Sequence, residues 1–423
     1  VARPVSRNEN HVSLIVQKYG GTSVDGPDRI RAVAEHVVET RRRGHDVVVV
    51  VSAMGKTTDE LIRLAKELSP SPPARELDML VTAGERISMS LLCIAIDELG
   101  HTANSFTGSQ AGIVTDSAHG RAKILEVRAD RLRHGLDDGR IVVVAGFQGM
   151  SIDRNITTLG RGGSDTTAVA LAASLGADLC EIYTDVAGVF TADPRLVPTA
   201  RLLPFVSYKE MLEIAATGGR VLALRSVEFA RNHHVPVHVR SSFTWARGTW
   251  IDEEDPSMEQ AIISAVTHDT SEAKVTMLSV PDRPGIAARL FRCLAEEGVN
   301  VDMIVQNTSV NGTTDISFTL PMTDLPTGLK VSEAVAEELG AQGVTHDAEI
   351  ARISLIGAGM KSHPGVAAEM FETLASAGVN IEMISTSSIR ISCIVRADRV
   401  EDGVRALHKA FDLDHELESQ PVP

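Results

Sequence analysis

A lysine followed by paired glycines at the end of an apolar run can hold an anion. The chain has that combination near its start, where Lys18-Tyr19-Gly20-Gly21-Thr22-Ser23 follows Leu14-Ile15-Val16-Gln17. Glycine has no Cβ, so backbone N–H groups can approach the anion closely, and Lys18 adds a point charge. A tight strand-to-helix turn with a solvated lysine would use the same residues, so three further segments matter. Thr158-Leu159-Gly160-Arg161-Gly162-Gly163-Ser164-Asp165-Thr166-Thr167 runs into the helix-forming stretch Ala168–Ala173. Glycines opening onto a helix start, with Ser, Asp and Thr at capping positions, make an anion site from free N–H groups and the helix dipole. Arg161 at its mouth suits two parallel bonds to a carboxylate. Val51-Ser52-Ala53-Met54-Gly55-Lys56-Thr57-Thr58 is another strand end rich in hydroxyls. Tyr183-Thr184-Asp185 is a third, placing a carboxylate before the turn-rich stretch Val186–Arg195.

These segments need a scaffold that brings strand ends to one edge. From Leu14 to about Ser242, apolar runs at 14–18, 46–51, 141–145, 179–183 and 235–240 alternate with helical patterns at Asp28–Arg42, Arg75–Leu99 and Asp165–Leu175. Buried runs separated by helices predict a largely parallel sheet covered on both faces, and such α/β sheets bind ligands along the carboxyl edge. Ser69–Pro73 reads as a loop, and the acidic, punctuated stretch 248–259 as a linker.

Beyond the linker the sequence repeats itself. The stretch from Pro284-Gly285 to Met303-Ile304 returns 80 positions later as Pro364-Gly365 to Met383-Ile384, with about a dozen of twenty-one positions identical. A duplicated strand, turn, helix, turn, strand unit follows. Such a duplication serves either a binding site at the joint of the two units or assembly alone.

Composition narrows the function. At 423 residues, with a net charge of −15 and scattered basic residues, the chain is unsuited to nucleic acid or an anionic membrane surface. Its four cysteines have no C-x-x-C spacing, so reduced thiols and no structural zinc are expected. No histidine spacing suggests a metal site. With the first eleven residues polar and no eighteen-residue apolar run, a cytoplasmic protein is expected. Two familiar nucleotide motifs fail. Gly55-Lys56-Thr57 would need glycine at Val50, and Gly160-Arg161-Gly162 would need it at Asp165.

Taken together, KYGGTSV at 18–24, SAMGKTTDEL at 52–61, TAGERIS at 82–88, TLGRGGSDTTA at 158–168 and YTDVAGVFTADPR at 183–195 resemble the aspartate kinases of the amino-acid-kinase superfamily. The duplicated tail resembles their tandem ACT domains. The resemblance implies a three-layer αβα sandwich over 12–247, followed by two ferredoxin-like βαββαβ ACT domains. The first would span 268–347, and the second 348–417 together with strand 260–267. The implied activity is ATP-dependent phosphorylation of the L-aspartate side chain to 4-phospho-L-aspartate, the first step toward lysine, threonine, methionine and diaminopimelate. Lys18 and Asp185 would be catalytic, with Gly20, Gly21 and Ser23 cradling phosphate. The nucleotide side would comprise Thr184, Asp185, Phe190, Thr191, Ala192, Asp193, Pro194, Arg195 and Arg220. Ser52, Thr58, Glu85, Arg161, Gly162, Gly163 and Ser164 would hold aspartate, Arg161 its α-carboxylate and Glu85 its α-ammonium. Capping is the plainer use of Glu85 and of Asp185. Mg²⁺ would ride mainly on the ATP phosphates, with no metal site built by the protein.

For the regulatory half, the resemblance implies amino-acid effectors, lysine or threonine or both. Their contacts would be Asp282, Gly285, Asn300, Gln306 and Asn307 in the first unit. In the second they would be Met360, His363, Pro364, Gly365, Val366, Asn380, Ile381 and Thr386. A homo-oligomer is implied, or an α₂β₂ assembly with a small ACT-only subunit starting near Met258. The loop Thr308–Gly312 is about two residues shorter than in close relatives, which would retune feedback. Departures also occur near the nucleotide side, where the family commonly has Asp-Gly-Val-Tyr and Gly-x-Lys. Here Ala187-Gly188-Val189-Phe190 and Gly218-Gly219-Arg220 stand instead. They are the only support for one alternative, a catalytically weak amino-acid sensor. A second alternative within the superfamily is a kinase for another amino-acid carboxylate such as glutamate, against which the contexts of Glu85 and Arg161 argue.

Overall fold

The computed structural model describes residues 13–253, 263–307, 312–361 and 363–415. Met258 and residues 308–311 lie outside them. Among the described residues, twenty strands fall in four sheets. In chain order they are β1 (Leu14–Tyr19), β2 (Asp46–Val51), β3 (Ala103–Phe106), β4 (Ile113–Thr115), β5 (Ile124–Val127), β6 (Ile141–Ala145), β7 (Gln148–Ser151), β8 (Ile156–Thr158), β9 (Leu179–Thr184) and β10 (Phe205–Ser207). Then come β11 (Val237–Ser241), β12 (Thr249–Asp252), β13 (Ala265–Asp269), β14 (Glu272–Pro281), β15 (Ile304–Gln306), β16 (Thr313–Pro321), β17 (Gly343–Asp347), β18 (Ile350–Ile356), β19 (Met383–Thr386) and β20 (Arg390–Arg396).

The large sheet has the order β10-β12-β11-β9-β1-β2-β6-β3, parallel except where β12 meets β11. Val47 to Val51 of β2 are all fully buried, because helices cover both faces of the central strands. Helices Pro27–Arg42 and Ala83–Glu98 pack Val33, Val37, Leu92 and Ile96 into one core with alternate valines of β2. A second sheet, β5-β4-β7-β8, escaped the sequence reading. Its strands have three or four residues and include polar runs such as Gln148-Gly149-Met150-Ser151, too short for a period to show.

Two expectations are corrected here. Residues 249–252 are strand β12, bonded to β10 and β11, so the linker cannot begin at 248. Ala74–Glu98 is long and apolar enough to cross a membrane by length and composition alone. It is split at Thr82 into two helices, and it buries Asp78, Val81, Glu85, Met89, Leu92 and Ile96.

The chain divides into two compact units, and Phe190–Arg201 and Thr217–Gly219 group with the carboxy-terminal one. That unit holds two four-stranded antiparallel sheets, β15-β16-β14-β17 and β13-β18-β20-β19. Each repeat's helix, Ile286–Glu296 or Val366–Ser376, packs its apolar stripe on the sheet, through Leu290 and Leu294 in one and Met370 and Leu374 in the other. The fourth strand of the first sheet is β17, at the end of its own repeat. In the second sheet that position is filled by β13, which precedes both repeats and lies antiparallel to β18.

Leu374 is fully buried, so Leu374→Ala removes packing that the surrounding strands cannot refill. We expect a loss of about 2–5 kcal/mol in the unfolding transition of this unit, measured by urea titration.

Candidate active site

Alternation along β1 decides which side chains reach which face. Gln17 and Tyr19 point to one face, where Gln17 donates to Glu181 at 2.8 Å and to Thr40 at 3.1 Å, and Tyr19 stacks on Tyr183 at 4.9 Å. That network ties β1 to β9 and to a covering helix. Lys18 points to the other face, toward the helix Gly163–Leu175.

There the Lys18 ammonium lies 2.6 Å from Asp165 Oδ1, and each side chain is about nine-tenths buried. Sequence reasoning took Asp165 for a helix cap; it is the counter-charge of Lys18. The two groups form a close, buried ion pair. Nζ also lies 3.5 Å from where a Cβ on Gly20 would stand, so the lysine sits over the glycine turn. Ser164, beside Asp165, shares a 3.0 Å hydrogen bond with Ser52 at the end of β2.

The strand ends are tied to one another. Gly20 N–H donates to Tyr183 O, Ser52 N–H to Tyr19 O, Gly55 N–H to Gly21 O and Gly146 N–H to Val51 O. A Cβ on Gly21 would lie 2.9 Å from Ala53 O, so only glycine lets these two turns approach. Gly162 has φ of +73°, and a Cβ there would meet that of Ala223 at 2.3 Å. The turn before it is held by Asp78, another residue the sequence reading missed. Asp78 accepts from Thr158 Oγ1 at 2.6 Å, from Gly120 N–H and from Thr158 N–H, and it pairs with His119. No local signal marks Asp78, because its partners lie far away in sequence.

Glu85 is 2% exposed and accepts the Ala53 N–H through Oε1, while Oε2 has no partner. Burial pushes its pKa up to about 7 against the pull of the Ala53 N–H. A buried carboxylate oxygen without a donor fits an incoming cation such as an ammonium. Ser23 is fully buried and accepts from Ser242 Oγ at 2.8 Å. Thr184 and Asp185 end β9, where the Thr184 hydroxyl donates to the exposed Asp185 at 3.0 Å. Thr58 lies in the first turn of helix Thr57–Leu68, and Arg161 is exposed in the turn before Gly163. Neither makes a side-chain bond to the Lys18 cluster among the described residues. Gly163 is buried at the helix start, and Arg220 is exposed.

The remaining nucleotide-side expectations fare differently. Thr191 and Ala192 are buried within the carboxy-terminal unit, which leaves their side chains no surface for a nucleotide. Asp193 accepts from the Arg195 guanidinium and from the Arg195 backbone N–H, with Pro194 between them exposed. Among the effector expectations, Asp282, Gly285 and Gln306 line one groove with Arg283 and Pro284. Gly365 repeats the left-handed backbone of Gly285, with φ of +110° against +98°. Asn300, Asn307, His363, Pro364, Asn380 and Thr386 are exposed, Met360 and Ile381 are half-buried, and Val366 is buried.

Residues 13–241 match the amino acid kinase family, and residues 278–334 and 353–411 match the ACT domain. An aspartokinase of Mycolicibacterium smegmatis is 57% identical over 407 residues, covering 95% of this chain and 97% of the relative. The chain belongs to the aspartokinases, within the amino acid kinase family. Among solved structures, Escherichia coli aspartokinase III in complex with aspartate and ADP superposes with a TM-score of 0.82 at 26% identity, covering 94% of this chain and 99% of that one. The same enzyme with lysine and aspartate, in its T-state, gives a TM-score of 0.72, also at 26% identity, with coverage of 94% and 99%. The similarity to an R-state and a T-state form extends over kinase and ACT parts alike.

The raised pKa of Glu85 has a consequence for stability in this aspartokinase. Between an ordinary carboxyl value of 4.5 and about 7, the folded chain keeps a proton that the unfolded chain has released. Stability is therefore highest below that window and falls as pH rises through it, by about 3 kcal/mol for a shift of this size. Urea titrations of the ligand-free protein from about pH 5 to about pH 8 should show a steeper decline for the parent than for Glu85→Gln.

Proposed function

We propose that the chain transfers the γ-phosphoryl group of ATP to the side-chain carboxylate of L-aspartate, giving 4-phospho-L-aspartate and ADP. The paired Lys18 and Asp165 at the glycine turn support this reading most directly. The aspartate carboxylate is already ionised at neutral pH, so the transfer needs no general base. The obstacle is repulsion. At about 4 Å, one carboxylate charge and one phosphate charge repel by roughly 4 kcal/mol at an effective dielectric near 20. Positioning and positive charge remove that barrier.

In this reading Lys18 faces the transferring phosphoryl group, and Asp165 holds its ammonium in place from 2.6 Å away. The Gly20-Gly21 turn, whose Gly20 N–H is already given to Tyr183 O, leaves space free of side chains for the phosphate oxygens beside Lys18. Ser52 and Ser164, already bonded to each other, orient the acceptor carboxylate, with Thr58 beside Ser52's strand end. Arg161 holds the α-carboxylate. Glu85 holds the α-ammonium through its free Oε2, and it becomes ionised as the ammonium arrives. Thr184 and Asp185, with Phe190, Asp193 to Arg195 and Arg220, take the nucleotide. A magnesium ion on the phosphates would supply further neutralising charge. Asp185 fits such an ion, since it is an exposed carboxylate bonded to Thr184 through only one of its oxygens.

The two ACT repeats would bind amino acids as feedback inhibitors, lysine or threonine or both. The groove of Asp282, Gly285 and Gln306 offers a carboxylate for an ammonium and a helix start for a carboxylate.

Hydroxamate formation from ATP, Mg²⁺ and L-aspartate tests the whole scheme. Lys18→Ala should lower kcat by about 100-fold or more while the fold is retained by circular dichroism. Equal turnover of L-glutamate would reassign the acceptor, and ATP binding with no turnover would leave an amino-acid sensor. A dose series with lysine and threonine that shows no inhibition would remove the feedback role.

A further inference from the structure

The segment Phe190–Arg201 leaves the kinase strand β9 only four residues beyond Asp185, through Val186 to Val189. Its packing lies with the second repeat. Ala192 and Val197 belong to the same apolar core as Val266, Ile353, Val404 and Leu407. Thr191 O accepts the Val266 N–H of β13 at 2.8 Å. Three more bonds come from the helix Val400–Ala410 and the turn after it. Arg405 Nε donates to Leu196 O at 2.9 Å, Arg201 Nε donates to Leu413 O at 2.9 Å, and Thr191 Oγ1 meets His408 Nε2 at 2.9 Å.

The last of these is the most enclosed. Thr191 is fully buried and His408 is 1% exposed. The Thr191 hydroxyl oxygen already accepts the Arg201 N–H at 2.9 Å, which leaves its own proton for His408 Nε2. Burial lowers the pKa of His408, and nearby Arg201 lowers it further against the opposite pull of Asp414, so the neutral ring can accept that proton. The anchor is therefore buried, while the turn carrying Pro194 and Arg195 is exposed.

We infer that Phe190–Arg201 is a nucleotide-side loop whose shape is set by the second ACT repeat, with His408 as its positioning residue acting through Thr191. The inference rests on the proposed role of Asp193 to Arg195 in nucleotide binding. Under it, ATP affinity depends on a helix near the carboxy terminus, some 200 residues away in sequence from the kinase strand it serves.

The test is steady-state kinetics of the full chain with ATP and L-aspartate varied separately, for Thr191→Val, His408→Ala, His408→Gln and Arg195→Ala. Thr191→Val keeps the side-chain shape and removes only the hydroxyl, so it carries the test if His408→Ala unfolds. Thr191→Val and His408→Ala should raise KM for ATP about fivefold or more, with kcat and KM for aspartate within about twofold. His408→Gln, whose amide reaches a similar position, should recover most of the loss. An unchanged KM for ATP in Thr191→Val and His408→Ala, with Arg195→Ala raising it, overturns the positioning role alone. An unchanged KM for ATP in Arg195→Ala overturns the nucleotide reading of the loop and the inference with it. A uniform loss of kcat and both affinities, unrecovered by glutamine, reduces His408 to a packing residue.

Discussion

A single ammonium group must stay charged in nearly dry surroundings, and the kinase unit is arranged around that requirement. A buried, unpaired lysine would give up its proton or cost several kcal/mol to keep it. Asp165 answers this from the first turn of a helix whose start is otherwise favourable to anions. The pair is then fixed from both sides. Gln17, Tyr19, Glu181 and Tyr183 hold the register of β1 and β9 on one face, and the Ser52–Ser164 bond ties β2 to the helix on the other.

Glu85 shows the opposite solution. Among the described residues no cation pairs with it, and burial raises its pKa. In the proposed reading a substrate ammonium would be that partner, so binding and deprotonation would be linked.

The regulatory half uses duplication with one substitution of parts. The first repeat supplies all four strands of its sheet, whereas the second supplies three and takes its fourth, β13, from before both repeats. The second sheet is therefore completed only when the chain closes back on itself. The core of that sheet also takes in Ala192 and Val197, and Thr191 O accepts the Val266 N–H of β13.

Much of this was legible in the sequence, for identifiable reasons. Strands β1, β2, β6, β9 and β11 announce themselves as buried apolar runs. The glycine turns mark strand ends because few other residues permit such close approach, and an offset of 80 exposes the duplication. Lys18, Ser52, Glu85 and Ser164 stand out as candidates because their local contexts are distinctive. What the sequence did not show depends on partners distant along the chain. Asp165 reads as a cap until a strand nearly 150 residues earlier brings Lys18 beside it. Asp78, the short sheet around β7 and the strand at 249–252 carry no periodic signal of their own. The sequence around Thr191 and Ala192 shows only a motif beside the nucleotide-side residues. Only the tertiary structure shows that both side chains are buried and that the Thr191 hydroxyl meets His408, 217 positions away.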